Sequence, residues 1–445
     1  MLEHLPIGTK DENWYKDQEA IFTISPEARR KHVAIFGATG SGKSTLLRNM
    51  IAWDIDNGAG VSVLDPHGQL VEDVLNHHIP RSRTDDVIYF NPKDVTHAIP
   101  LNLLDSPSRE FDGQVVDNVV GIFKLLWPEA FAVGARMEDI FRNTFYALIE
   151  HPSPTSLWNL PPFLTNDAYR AMIVRRVENP AVRNFFENTY NTWTKPFREE
   201  AISAVMNKVR PFLTDPRIRA VIGPARSTLR FRSVIDGRKI LLCDLSKGAI
   251  GADNARLLGS LIALQHKLAA LSRYEIPEES RVPHPLYVEE AQNFIGDFES
   301  FFSETRKYSV PLTVATQGVE SLSAEDAAAV FTNCGTIVSF RVSGADAQRL
   351  AGEFAMGIPA SNLQSLPDYM FYVRTLKTLQ RKERISASPT PPHLVNAYHP
   401  FAPPPRPAIP SNIIRTSAER WARPRAELEA KLVRFLRRDF GKVGK

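Results

Sequence analysis

Nine residues, Gly37-Ala38-Thr39-Gly40-Ser41-Gly42-Lys43-Ser44-Thr45, have the types and spacing to bind the phosphates of a nucleotide. Gly37 and Gly42 bracket four residues in the G-x-x-x-x-G-K-S/T pattern, and Gly40 lets the chain fold tightly enough for successive N–H groups to converge on one anion. Lys43 supplies the charge that reaches the β- and γ-phosphates. Ser44 supplies a hydroxyl for Mg²⁺, and the helix opening with Leu46, Leu47 and Met50 points its amino-terminal dipole at the same anion. His32-Val33-Ala34-Ile35-Phe36 reads as a strand before the loop, which completes the strand, loop and helix context that the motif needs.

A second group could complete that chemistry. Pro285-Leu286-Tyr287-Val288-Glu289-Glu290 reads as an apolar strand ending in two acids. A strand beside the phosphate strand delivers such acids to the carboxyl edge of the sheet, where Mg²⁺ and an attacking water belong. Glu289 is expected to order the Mg²⁺ shell, and Glu290 to orient and deprotonate the water. Asp65 could hold Mg²⁺-bound water, or Asp65-Pro66-His67-Gly68 could serve only as a turn.

These groups need a doubly wound, mainly parallel α/β sheet to position them. Strands are expected at Gly60 to Leu64, Val87 to Phe90 and Ile240 to Leu245, after a lead with strands at Ile7 to Thr9 and Ala20 to Ile24. The lead is expected to end in a turn at Pro26 to Arg30. From Phe111 to Ile222 the apolar residues follow helical periods, as in Val115, Val119, Ile122, Phe123 and Leu126, and no strand pattern interrupts them. The expected organisation is a lead over 1–30, a motor over 31–105 and 227–388, an all-α insertion over 106–226, and a proline-rich linker with a basic helix over 389–445. Pro389 to Pro410 holds nine prolines and reads as linker rather than helix or central strand.

At 445 residues and 43% hydrophobic content the chain can hold two or three cores. Cys243 and Cys334 lie in apolar runs and read as small buried hydrophobes rather than as disulfide or metal ligands. No signal peptide and no apolar run of about 18 residues is visible, so a cytoplasmic location is expected, with partners able to hold the protein at an inner membrane. The net charge of +4 is unevenly placed: from Arg415 to Lys445 ten Lys or Arg face four Asp or Glu, a balance of +6. Leu428, Leu432, Phe435, Leu436 and Phe440 recur there at helical spacing, so this basic tail could dock on the body or bind phosphates or a partner.

Four further runs carry a resemblance: Glu289-Glu290-Ala291-Gln292-Asn293-Phe294, Ser303-Glu304-Thr305-Arg306-Lys307-Tyr308, Thr313-Val314-Ala315-Thr316-Gln317 and Cys334-Gly335-Thr336-Ile337-Val338-Ser339-Phe340-Arg341. In this order they resemble the DNA-pumping ATPases of the HerA and FtsK superfamily, above all the coupling proteins of conjugation and type IV secretion. Those proteins are similar also in Asp65-Pro66-His67-Gly68 and in carrying an all-α domain within the motor. The likeness covers most of residues 30 to 385. It departs in Glu289, where those proteins usually carry Asp, and in the N-terminal membrane anchor that many of them have.

The resemblance implies a RecA-like ATPase motor using ATP and Mg²⁺, assembled as a homo-oligomeric ring, most simply a hexamer, that translocates DNA. Arg306 becomes the candidate arginine finger for a neighbour's γ-phosphate, against a plainer reading as a cation complementing a helix carboxyl terminus. Gln317 becomes a candidate sensor of the γ-phosphate or water, and Arg341 a weaker inter-subunit candidate. Partners implied are DNA with a relaxase and secretion channel, or, in a HerA-like alternative, a nuclease in DNA-end processing or defence. A third reading makes the helical insertion an ATP-dependent receptor for protein cargo.

Overall fold

The structure, a computed structural model, describes residues 4–10, 21–133, 135–354, 357–381, 384–397 and 410–437. The chain divides into two compact units, one of residues 1–90, 231–246 and 265–414, the other of residues 91–230, 247–264 and 415–445.

The first unit is built on one sheet of eleven strands: β1 (Leu5–Thr9), β2 (Ile21–Ile24), β3 (Val33–Phe36), β4 (Val61–Asp65), β5 (Val87–Phe90), β6 (Ile240–Asp244), β7 (Leu286–Glu289), β8 (Leu312–Thr316), β9 (Thr336–Ser339), β10 (Met370–Arg374) and β11 (His393–Asn396). Their order is β2-β1-β11-β10-β9-β3-β8-β7-β4-β6-β5. Neighbours from β9 through to β5 are parallel, and the other pairs are antiparallel. Every residue of β3, β4, β6, β7, β8 and β9 is buried, as strands covered on both faces require, which is why they read as short, mainly apolar runs with a few buried Ser, Thr and Asp. Cys243 and Cys334 are both buried, and burial pushes both thiols up.

The helix Lys43–Asp56 buries Leu46, Leu47, Met50, Ile51 and Ile55 in the core of this unit. Each such side chain contributes about 1.5–3 kcal/mol relative to exposure. A buried polar cluster lies in the same region: Arg29 donates to both Asp54 carboxylate oxygens at 2.7 Å, and Tyr287 Oη donates to Asp54 Oδ2 at 2.6 Å. It ties the helix Pro26–Arg30, the helix Lys43–Asp56 and β7 together. Where a turn was expected, Pro26 to Arg30 is helical, because Pro26 suits the first helical position and the Ser25 hydroxyl caps the Ala28 amide.

The proline-rich stretch also needs correction. His393–Asn396 is not linker but a strand inside the sheet, between β10 and β1. Pro391 and Pro392 precede it, so their missing N–H groups fall outside the ladder. Residues 398–409 of the expected linker lie outside the described residues, as does Ala20 of the lead.

In the second unit the expected helical stretch from Phe111 to Ile222 forms helices, with no strand among its described residues. Phe123 of the helix Asp112–Leu126 stacks on Phe141 of the helix Ala135–Ile149 at 4.7 Å between ring centroids. Trp127 meets Phe212 of the helix Lys195–Thr214 at 5.6 Å. The basic tail docks here: the helix Arg425–Leu436 buries Leu428 and Leu432, Glu429 accepts from Arg219 at 2.9 and 3.1 Å, and Arg425 donates to the carbonyls of Pro92, Asp94, Pro216 and Arg217. Phe440 of the expected apolar stripe lies outside the described residues.

Candidate nucleotide site

Parallel register brings the site together. Phe36 pairs with Thr316 across β3 and β8, and Glu289 with Ala315 across β7 and β8, so Gly37, Gln317 and Glu290 leave the same carboxyl edge of the sheet. The loop after β3 is anchored at its start, where Gly37 N–H donates to Thr316 O at 3.3 Å and Ala38 N–H to Arg341 O at 2.7 Å. Gly40 (φ +79) and Gly42 (φ +113) take left-handed conformations that glycine alone adopts freely. The helix then starts at Lys43, which leaves the amides of Lys43, Ser44 and Thr45 in its first turn, without intrahelical acceptors.

Lys43 folds over this loop, with Nζ donating to the carbonyls of Gly37 and Ala38. Burial lowers its pKa, opposed by Glu290 and Glu289. Ser44 Oγ donates to Glu289 Oε1 at 2.8 Å. Glu289 is pushed up to about 7, first by burial and then by Asp65, whose carboxyl shares a hydrogen bond with it. Asp65 serves the turn as well: its carboxylate accepts from the amides of His67 at 2.7 Å and Val71 at 3.2 Å. The turn reading of Asp65 is thus what the structure shows, with a contact to Glu289 beside it.

Glu290 follows with φ +51 and ψ +51, a left-handed non-glycine residue. Its carboxylate accepts from Gln317 Nε2 at 2.9 Å and from Gln292 Nε2 at 2.7 Å. Gln292 is a site residue that no motif in the sequence marks; only the spacing Glu-x-Gln in Glu290-Ala291-Gln292 points to it. The hydroxyl of Ser44 and the paired carboxyls of Glu289 and Asp65 make an oxygen-rich set. This donor set fits Mg²⁺, which is usually held by one or two protein oxygens with substrate phosphates and water.

Arg306 is elsewhere. The helix Phe298–Lys307 runs from the carboxyl edge back to the amino edge, where β8 begins at Leu312. There His32, just before β3, bonds the Phe302 carbonyl at 2.9 Å and accepts from Leu312 N–H at 2.9 Å. Arg306 is exposed, and its charge is felt by His32. With β3 four residues long, about 13 Å of strand separates that edge from Gly37. Arg341 pairs with Asp368 at 2.8 Å and donates to Leu366 O at 3.2 Å.

A glycine loop between a buried parallel strand and a helix, with paired acids at the same sheet edge, defines the class of P-loop NTPase folds. Residues 15–119 match the family described as the central domain of the helicase HerA. The chain is similar in fold to the plasmid coupling protein TrwB in complex with GDPNP, with 16% identity, a TM-score of 0.62, and 89% of this chain and 95% of that one covered. TrwB with ADP and Mg²⁺ gives 16%, 0.59, 86% and 89%. VirB4 of Thermoanaerobacter pseudethanolicus gives 12%, 0.53, 90% and 98%. No curated protein matches the chain in sequence. The match to the HerA central domain covers residues 15–119, and the solved structures show that the fold is the one seen in TrwB and VirB4, with a RecA-like sheet. No helix of the described residues is long and apolar enough to cross a membrane.

Proposed function

We propose that this protein hydrolyses ATP as a ring motor, most simply a hexamer, and translocates DNA. The observation that carries the reading is the convergence of Lys43, Ser44, Glu289, Glu290 and Gln317 at one sheet edge. Gly37 to Thr45 hold the phosphates, with Lys43 released from the Gly37 and Ala38 carbonyls to the β- and γ-phosphates. Ser44 and Glu289 would hold Mg²⁺, which when bound would neutralise charge on the phosphate oxygens. Glu290 orients the attacking water and takes its proton at a carboxylate oxygen, while Gln317, bonded to that carboxylate, feels the change at the γ-phosphate.

Arg306 acts on a neighbour. Its place on the edge away from its own loop favours a trans finger, because a phosphate that meets Arg306 is one held by another copy. The tail, docked on the helical unit, leaves the choice of DNA or cargo to that unit, residues 106–226 foremost. Translocation and assembly rest on the likeness to HerA and to the coupling proteins. A relaxase and secretion channel are the partners this reading favours. The experiment is the ATPase rate with and without DNA across protein concentration, with Lys43→Ala as control. The reading expects DNA stimulation, a rate per protomer that rises with concentration, and no turnover by Lys43→Ala. DNA-independent turnover would support the cargo-receptor reading instead, and an active Lys43→Ala would put the phosphate site elsewhere.

A further inference from the structure

Tyr369 stands just before β10 with φ +65, a backbone conformation that a bulky side chain adopts only where its surroundings impose it. Two hydrogen bonds impose it here: Tyr369 N–H donates to Ser41 O at 2.8 Å, and its own carbonyl accepts from Ala397 N–H at 2.7 Å. The ring lies on the phosphate loop. A Cβ placed on Gly42 would stand 2.9 Å from Tyr369 Cδ1 and 3.1 Å from its Cα, so Gly42 admits the tyrosine as well as its own positive φ. Nevertheless the residue is 50% exposed. The fold therefore pins an aromatic face against the cradle and leaves half of it open.

Its side of the sheet matters. The acids Glu289 and Glu290 lie on the β7 side of β3, whereas Tyr369 enters from the β9 and β10 side. A nucleotide whose γ-phosphate points to the acids and whose other phosphates lie on the loop amides must carry its ribose and base away from β7, past the amino end of the helix Lys43–Asp56. That path runs to Tyr369. We propose that the Tyr369 ring is the platform on which the base of the bound nucleotide stacks. This rests on the phosphate-cradle reading above and adds to it the group that holds the other end of the ligand.

The test separates base from phosphate by titrating the full chain with ATP and with inorganic tripolyphosphate, which has no base. Tyr369→Gly suits φ +65 and so keeps the backbone path while removing the ring. It is expected to weaken ATP by roughly 10- to 100-fold, the range for loss of one base stack, and to leave tripolyphosphate unchanged. Tyr369→Phe and Tyr369→Trp should bind ATP within a few-fold of the unmodified chain. Equal weakening of both ligands by Tyr369→Gly would overturn the proposal, since the ring would then only shape the loop. Unchanged ATP affinity would overturn it too. Failure of both ligands to bind the unmodified chain would instead remove the phosphate cradle itself, and the platform with it.

Discussion

Glu290 holds a left-handed backbone, φ +51, at the point where β7 ends and the chain must turn. Such a conformation costs a non-glycine residue on the order of 1–2 kcal/mol, and it persists because the turn aims the carboxylate between Gln292 and Gln317. Glu290→Gln keeps that shape and loses the proton acceptor. It should bind Mg²⁺-ATP and hydrolyse it about 10² to 10⁴ times more slowly, as single-turnover rates would show. Glu289→Gln should instead raise the Mg²⁺ concentration needed for half-maximal rate. If Glu290→Gln turns over normally and Glu289→Gln does not, the two roles are reversed. Lys43, Ser44 and both acids were legible in the sequence because spacing alone puts them after strands. Asp65 against Glu289, Gln292 against Glu290 and Tyr369 on Gly42 were not, because each contact is set by the sheet order or by a turn's φ rather than by a pattern along the chain.

At the scale of elements, β3 is held at its start by His32, which is fully buried between the Phe302 carbonyl and the Leu312 amide. Burial lowers its pKa to about 4, and the charge of Arg306 acts in the same direction. In the unfolded chain the imidazole titrates near 6.5, so there the unfolded state takes up the proton first and stability falls as pH drops below about 6.5. His32 should account for about 2 kcal/mol of lost stability between pH 7 and pH 5. His32→Asn, which tolerates φ +63, should flatten the pH dependence of the urea midpoint by that amount. An unchanged slope would mean that His32 titrates in the fold as it does in the unfolded chain. The Arg29, Asp54 and Tyr287 cluster makes a second element-level test. Asp54→Ala leaves Arg29 buried without its carboxylate and should cost about 3–5 kcal/mol in chemical unfolding. Neither buried cluster was legible beforehand, since its members are far apart in the chain. The parallel strands were, because burial on both faces makes each a short apolar run. The strand β11 was hidden by its prolines, which flank rather than enter the ladder.

For the whole molecule, the first unit keeps its own apolar core, running from Leu5 to Ile413, and the helical unit gathers three separate chain segments. The period of the apolar residues showed the helical character and the placement of charge the basic tail, but neither showed that Leu428, Leu432 and Glu429 close onto the helical unit. Replacing 106–226 with a Gly/Ser linker and ending the chain before Arg415 should therefore leave a soluble protein that binds ATP and has lost DNA-stimulated turnover. Retained stimulation would place DNA recognition on the first unit. The central claim, a ring whose sites are completed by neighbours, is tested most directly by mixing two dead variants. Arg306→Ala keeps the phosphate loop and Lys43→Ala keeps the finger, so a mixed ring contains interfaces in which one protomer supplies Lys43 and its neighbour Arg306. Each variant alone should be inactive, and the mixture should recover part of the ATPase rate. No recovery in mixed rings confirmed by mass measurement would contradict the trans finger and the ring motor built on it.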